Sequence, residues 1–295
     1  MWRGMGANFS LPWRASHVGA ALCASCAITG IAANAFCDPS ESDRLARWHT
    51  KWESGQLGWH KTKPHDILRR FMDDMLGPKD SGPMRVLFPL CGKSVDLGYL
   101  ARRGHDVVGV EGIPRAIDEL LDDYGEELAP GASKGKPLPR LRVGLPGWAQ
   151  QVAAPKDAVG PPTILRVVQG DFVTLSPADL GRLGIESFDA CFDRGSLVAV
   201  APADRGDYVW ILTEMMATGG RILLVAVEHD AFSGGILGPP YEVSEAEVHA
   251  LFGGAFEVRM LSREDRMEKE PIWKERGALR FEEVSYLLTK RQPVA

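Results

Sequence analysis

The sequence predicts an α/β domain: a sheet of about seven strands, mostly parallel, with helices on both faces and an antiparallel pair at its end. Three observations carry this. Short apolar runs alternate with amphipathic helical segments through the middle of the chain. The first such run leads into a tight turn, Pro89-Leu-Cys-Gly92, and the second ends in a carboxylate, Glu111. Beyond residue 245 the alternation stops, and two strand-like runs separated by a long charged connection close the chain.

Taken in order, Glu41 to Gln56 carries Trp48 and Trp52 at i, i+4 spacing, hence on one helix face. Asp66 to Leu76, following Pro64, mixes Ile-Leu with Arg and Asp pairs as an amphipathic helix does. Then come a strand (Met84 to Pro89), a helix (Ser94 to Arg103), a strand (Asp106 to Glu111) and a helix (Arg115 to Tyr124). This order demands right-handed βαβ crossovers. Residues 125–162 shift to Gly, Pro, Ala and Lys and read as a surface insertion, with some strand near Leu141 to Val143. The alternation resumes with strands at Ile164 to Val168 and Phe188 to Phe192, a helix at Asp204 to Met216 and a strand at Arg221 to Val227. A helix at Glu245 to Phe252 and strands at Phe256 to Leu261 and Val284 to Thr289 complete the domain, which spans residues 38–295.

Residues 1–37 stand apart. They hold Arg3 and Arg14 but no acid, and Val18 to Phe36 is mostly small and apolar, with an A-x-A-like site after Ala35. That is the pattern of a targeting presequence or a disordered tail; a presequence of this kind would address a plastid or mitochondrion. The stretch is too rich in Ala, Gly and Ser to read as a membrane span. Cys23-Ala-Ser-Cys26 has the spacing of a redox or zinc pair, but no second pair or His cluster completes a metal site, so no metal is expected. With 34 basic against 39 acidic residues, the net charge of −5 supplies no footprint for nucleic acid. No apolar stripe is left over after the core is assigned, which favours a monomer.

The strand–turn–helix around Gly92 and the acid at Glu111 suit a nucleoside-containing cofactor. N–H groups at the turn offer donors, and a carboxylate about 20 residues on accepts from ribose hydroxyls. Leu90 and Cys91 stand where a pyrophosphate-binding turn needs glycine. A cofactor with a ribose and no pyrophosphate therefore fits better than a nicotinamide dinucleotide, and S-adenosylmethionine is the candidate. Leu90 would meet it through its backbone. Gly170-Asp171-Phe172 follows the third strand, where an acid can accept from an exocyclic amine and an apolar neighbour can cover the ring. Asp193-Arg194-Gly195 ends the fourth strand, at the carboxyl edge where open α/β sheets bind ligands. A guanidinium there stays protonated and can stabilise an anionic group, a thiolate among others. Asp193 is expected to orient it.

Five stretches carry a family resemblance: Trp48-His-Thr-Lys-Trp52 through Trp59-His, Phe88-Pro-Leu-Cys-Gly-Lys93, Val108-Gly-Val-Glu111, Asp193-Arg-Gly-Ser-Leu-Val198 and Gly238-Pro-Pro-Tyr241. From about Trp48 to Lys290 the chain resembles thiopurine S-methyltransferases, enzymes that methylate aromatic and heterocyclic thiols from S-adenosylmethionine. The resemblance implies a class I methyltransferase fold and a cytoplasmic place for the domain. It also implies a lid over residues 41–60 with Trp52, and beside it Trp48, against the cofactor's sulfonium. Trp59 would border a small-molecule thiol, and Arg276 is the nearest match to a second basic residue on the substrate side. Thiol/halide methylation, selenium or tellurium methylation and a non-catalytic binding module remain as alternatives.

Overall fold

The computed structural model describes residues 41–77, 82–128, 140–141, 149–153 and 164–293. The expected presequence, its cysteines, and much of the expected insertion lie outside them. Helix α1 (Glu41–Glu53) is followed by α2 (Asp66–Leu76), which buries Ile67, Leu68, Met75 and Leu76. Strand β1 (Arg85–Phe88) leads into α3 (Val95–Ala101), begun by Ser94, whose hydroxyl accepts from the Asp96 N–H. Then follow β2 (Asp106–Glu111) and α4 (Pro114–Leu128), which runs into the expected insertion. There β3 (Arg140–Leu141) and β4 (Ala149–Ala153) pair antiparallel, so the single strand expected near residue 141 is one arm of a pair.

Strand β5 (Ile164–Gln169) returns to the sheet, followed by α5 (Pro177–Gly181), a short helix absent from the sequence reading. Its capping box, Ser176 with Asp179, and Pro177 at the first turn are the signals that announce it. Strand β6 (Phe188–Arg194), α6 (Arg205–Met215), β7 (Met216–His229), α7 (Glu245–Phe252), β8 (Phe256–Asp265), α8 (Ile272–Glu275) and β9 (Phe281–Lys290) complete the chain. The last strands are longer than their apolar runs, because β8 and β9 pair along their polar ends through Arg263, Glu264 and Asp265.

The strands form one sheet in the order β3-β4-β5-β2-β1-β6-β7-β9-β8. From β5 to β7 neighbours are parallel, and β9 and β8 add antiparallel at one edge. That is the predicted seven-strand sheet; β4 joins it antiparallel beside β5 and widens the other edge. The period-2 alternation of a strand divides the core in two. Leu87, Val108, Cys191, Ile222 and Leu224 face one layer, whereas Val86, Phe88, Val107, Ala190, Phe192 and Leu223 face the other. Burial on both faces explains why these strands read as unbroken apolar runs. Every parallel strand then ends at the same rim, where β1, β2, β5 and β6 deliver their final residues.

Candidate active site

At that rim lies a cleft of about 790 Å³. The turn after β1 sets its floor. Leu90 has φ 42°, a left-handed conformation that costs a non-glycine residue, and Gly92 has φ 51°. The turn is tied down from both sides: the Cys91 N–H donates to the Val110 carbonyl at 2.9 Å, and the Ser196 hydroxyl donates to the Pro89 carbonyl at 2.6 Å. Cys91 is buried, and its thiol is pushed well above the usual range by burial and by nearby Glu111, so it is a packing group and not a nucleophile.

Glu111 ends β2 beside this turn. Its Oε2 accepts from the Gly92 N–H at 2.8 Å and its Oε1 from the Ile113 N–H at 2.7 Å, with a further bond from the Gly112 N–H. Burial raises its pKa while these donors oppose the rise. Each carboxylate oxygen has two lone pairs, so beside these three donors one remains for a ligand hydroxyl.

At the end of β5, Gly170, Asp171 and Phe172 all line the cleft. The Asp171 carboxylate is engaged by protein groups. Its Oδ1 accepts from the Val173 N–H at 3.2 Å, and its Oδ2 takes Arg44 Nε at 3.1 Å and Nη2 at 3.0 Å. The acid expected to meet an exocyclic amine fastens α1 to the sheet. Phe172 is buried with its ring 5.0 Å from that of Tyr208.

At the end of β6 the structure corrects one expectation. Asp193 does not orient Arg194; it lies beneath the cleft with 0% exposure. Its Oδ1 accepts from the Leu197 N–H at 3.0 Å and its Oδ2 from the Tyr208 hydroxyl at 2.7 Å. Strand alternation is the reason: adjacent residues of β6 point to opposite sides, so Asp193 pins the turn that presents Arg194. Burial pushes the Asp193 carboxyl up to about 6 despite bonds from Tyr208, Leu197 and Ser196. Arg194 lines the cleft, and its Nη1 donates to the Trp59 carbonyl at 2.7 Å, one of a guanidinium's five donors.

The wall above is built by α1 and the residues that follow it, the stretch expected to form a lid. Trp52 is buried (3% exposed) against Ile113 and Ala116, with Leu45, Trp48, Leu57 and Trp59 around it. Trp59 meets Trp48 edge-on at 5.4 Å and Trp52 at 6.2 Å. One glycine admits this helix: a Cβ at Gly112 would stand 2.7 Å from Leu45 Cδ2, whereas at Gly92 it is the left-handed φ of 51° that favours glycine. All three tryptophans line the cleft together with Leu90, Glu111 and Arg194.

Across the cleft, Arg276 lies flat over Phe232 with its guanidinium carbon 3.8 Å from the ring centroid, and Nη2 donates to the Pro239 carbonyl at 3.0 Å. Beside it a polar group closes the wall. His65, Asp66 and Glu283 hold ligand atoms within 4.8 Å of one another, but Arg266 bonds to both carboxylates and already supplies the positive charge there. Burial and the charge of Arg194 bring His65 down to about 3, so its ring is neutral.

The sequence reading missed Arg44, Arg47 and Lys51. Their i, i+3, i+7 spacing along α1 was the available signal. It also missed Asp96, Arg266 and Glu283, which reach the cleft from separate elements and carry no local pattern.

The sequence profile of the thiopurine S-methyltransferase (TPMT) family matches residues 44–144 and 146–291. Among individual proteins, the thiopurine S-methyltransferase of Methylococcus capsulatus is 31% identical over 241 residues, covering 82% of this chain and 95% of its own. That of Panthera leo is 33% identical over 254 residues, covering 84% and 90%. Among solved structures, Burkholderia thailandensis 1,6-didemethyltoxoflavin-N1-methyltransferase superposes with a TM-score of 0.50 at 17% identity, covering 84% of this chain and 87% of that one. At that identity the likeness speaks to the fold, which it shares. A profile that runs almost unbroken through α1, the sheet and the last strand leaves one assignment: this chain belongs to the thiopurine S-methyltransferase family.

Proposed function

We propose that this chain methylates the sulfur of an aromatic or heterocyclic thiol, using S-adenosylmethionine as donor and Arg194 to hold the acceptor as a thiolate. The observation that carries the reading is the gathering of Trp52, Leu90, Glu111 and Arg194 along one cleft. When bound, S-adenosylmethionine supplies an electrophilic methyl group on a sulfonium. The chain's residues suit it: Glu111 keeps a lone pair for a ribose hydroxyl, and Leu90 and Gly92 line the same cleft. The indoles of Trp48 and Trp52 favour a soft cation by about 0.5–2 kcal/mol.

Transfer to sulfur needs little acid–base chemistry, because an aromatic thiol ionises readily. The guanidinium of Arg194 lowers the cost of that ionisation, and the lid excludes water. Positioning does the rest: near-attack geometry is worth roughly 7–11 kcal/mol. The names of the family's members, thiopurine S-methyltransferases, support the choice of sulfur as acceptor. Calorimetry with S-adenosylmethionine tests the donor, and an absence of binding would remove the reading. Arg194→Ala, assayed over thiols of graded acidity, tests the acceptor. The loss should grow as the thiol becomes less acidic, and an equal loss across the series would exclude thiolate stabilisation.

A further inference from the structure

Among the described residues, three cations on the acceptor side of the cleft have no acidic partner. Arg47 and Lys51 stand on α1, and Arg276 follows α8; all three line the cleft. Arg47 Nη1 donates to the Tyr241 hydroxyl at 3.2 Å and Arg276 to the Pro239 carbonyl, both neutral acceptors. Lys51 Nζ lies 5.7 Å from the Trp59 centroid and 6.0 Å from that of Trp48. Among the described residues, none of the three forms an ion pair. Arg47 and Arg276 bond to positions two residues apart, Tyr241 and Pro239, and burial with their positive charges holds the Lys51 ammonium below its usual range.

Acids that line the cleft are otherwise engaged. Asp171 pairs with Arg44, Glu270 with Lys61 at 3.2 Å, and Glu283 with Arg266. The third cation on the inner face of α1, Arg44, has a carboxylate; Arg47 and Lys51, on the same stripe, do not. Position separates them from the ribose end. Glu111 ends β2, while the stretch around Pro239 and Tyr241 is held against Val198, after β6, and Val227, on β7, on the far side of β1. Between the two ends stands Arg194, on β6. Aromatic surfaces of Trp59, Tyr241 and Trp273 border the same region. Lys51 and Arg276 are half-buried and Arg47 is exposed, so the two half-buried cations gain most from an anionic ligand.

We infer that the preferred acceptor is a planar thiol bearing an oxyanion, a carboxylate or phosphate, which Arg47, Lys51 and Arg276 hold while its sulfur lies toward Arg194. This rests on the S-methylation reading above and narrows it to one substrate class. It makes acceptor choice a matter of charge as well as shape.

The test compares 4-mercaptobenzoate, 4-mercaptophenyl phosphate and the neutral 4-mercaptobenzamide on the wild type and on Arg47→Gln, Lys51→Gln and Arg276→Gln. Comparing each acceptor on both enzymes cancels differences in thiol acidity. The wild type should favour the anionic acceptors in kcat/KM by about tenfold or more, the order expected for a charge-assisted hydrogen bond. Each substitution should lower that preference mainly through KM, and added salt should erode it without any substitution. Whether carboxylate or phosphate leads identifies the oxyanion. A charged-to-neutral ratio of kcat/KM that is the same on the wild type and on all three variants would overturn the proposal. So would variants that weaken S-adenosylmethionine binding by calorimetry while leaving the preference intact, because the cations would then serve the cofactor's own carboxylate. Failure of the wild type to methylate any thiol would instead overturn the S-methylation reading itself.

Discussion

Replacing Tyr208 by Phe isolates one buried bond beneath the cleft. Tyr208 is fully buried on α6 and donates to Asp193 Oδ2 at 2.7 Å. The Asp193 carboxyl is pushed up to about 6 by burial, against roughly 3.9 for an unfolded aspartate. Folding therefore favours its protonated form. The stability this group contributes is fully present below about pH 4 and is lost as the pH rises through about 6. Between pH 5 and 8 that loss is about 1.4 kcal/mol. The Phe variant keeps the ring and removes a donor to the ionised carboxylate, so the carboxyl rises further. Each additional unit deepens the fall between pH 5 and 8 by about 1.4 kcal/mol. We expect a cost of about 1 kcal/mol at pH 5, where the bond joins neutral groups, and about 2–3 kcal/mol at pH 8, where it is charge-assisted. Urea unfolding of both proteins at the two pH values measures this, and comparing variant with wild type cancels other titrating groups. An equal loss at both values would refute the picture of a raised carboxyl held by the phenol. Turnover should fall as well, because Asp193 anchors the turn that carries Arg194.

Two further substitutions probe the turn after β1. Glu111→Ala should weaken S-adenosylhomocysteine binding about 10–100-fold in Kd, the worth of one or two hydrogen bonds to a charged group; an unchanged affinity by calorimetry would take Glu111 out of the site. At Gly109 an added Cβ would stand 2.6 Å from Cys91 Sγ and 2.8 Å from Leu97 Cδ2, so Gly109→Ala should cost about 1–3 kcal/mol in urea unfolding. Adding Cys91→Ala should recover part of that cost, and a loss that is merely additive would show that the sulfur is not the obstacle.

Much of this molecule could be read from its chain. Alternating apolar runs and helical stretches specify strands buried on both faces, and two-sided burial leaves a parallel sheet as the solution. Glu111 and Arg194 were legible because each closes a buried strand, and every parallel strand of such a sheet ends at one rim. Trp52 was legible from a motif, since the rim alone gives no reason for an indole on α1. Neighbours in sequence did not reveal neighbours in space. Asp193 sits one residue from Arg194, yet pleating sends it under the sheet to Tyr208. Asp171 was placed correctly at the end of β5, but its bond to Arg44 joins residues 127 positions apart, and no local pattern records it. The same holds for Arg47, Lys51 and Arg276, which belong to ordinary amphipathic or charged stretches. Only when α1 crosses the rim and the β8–β9 connection folds back over it do their charges meet, because Coulomb interaction depends on distance through space and is indifferent to distance along the chain.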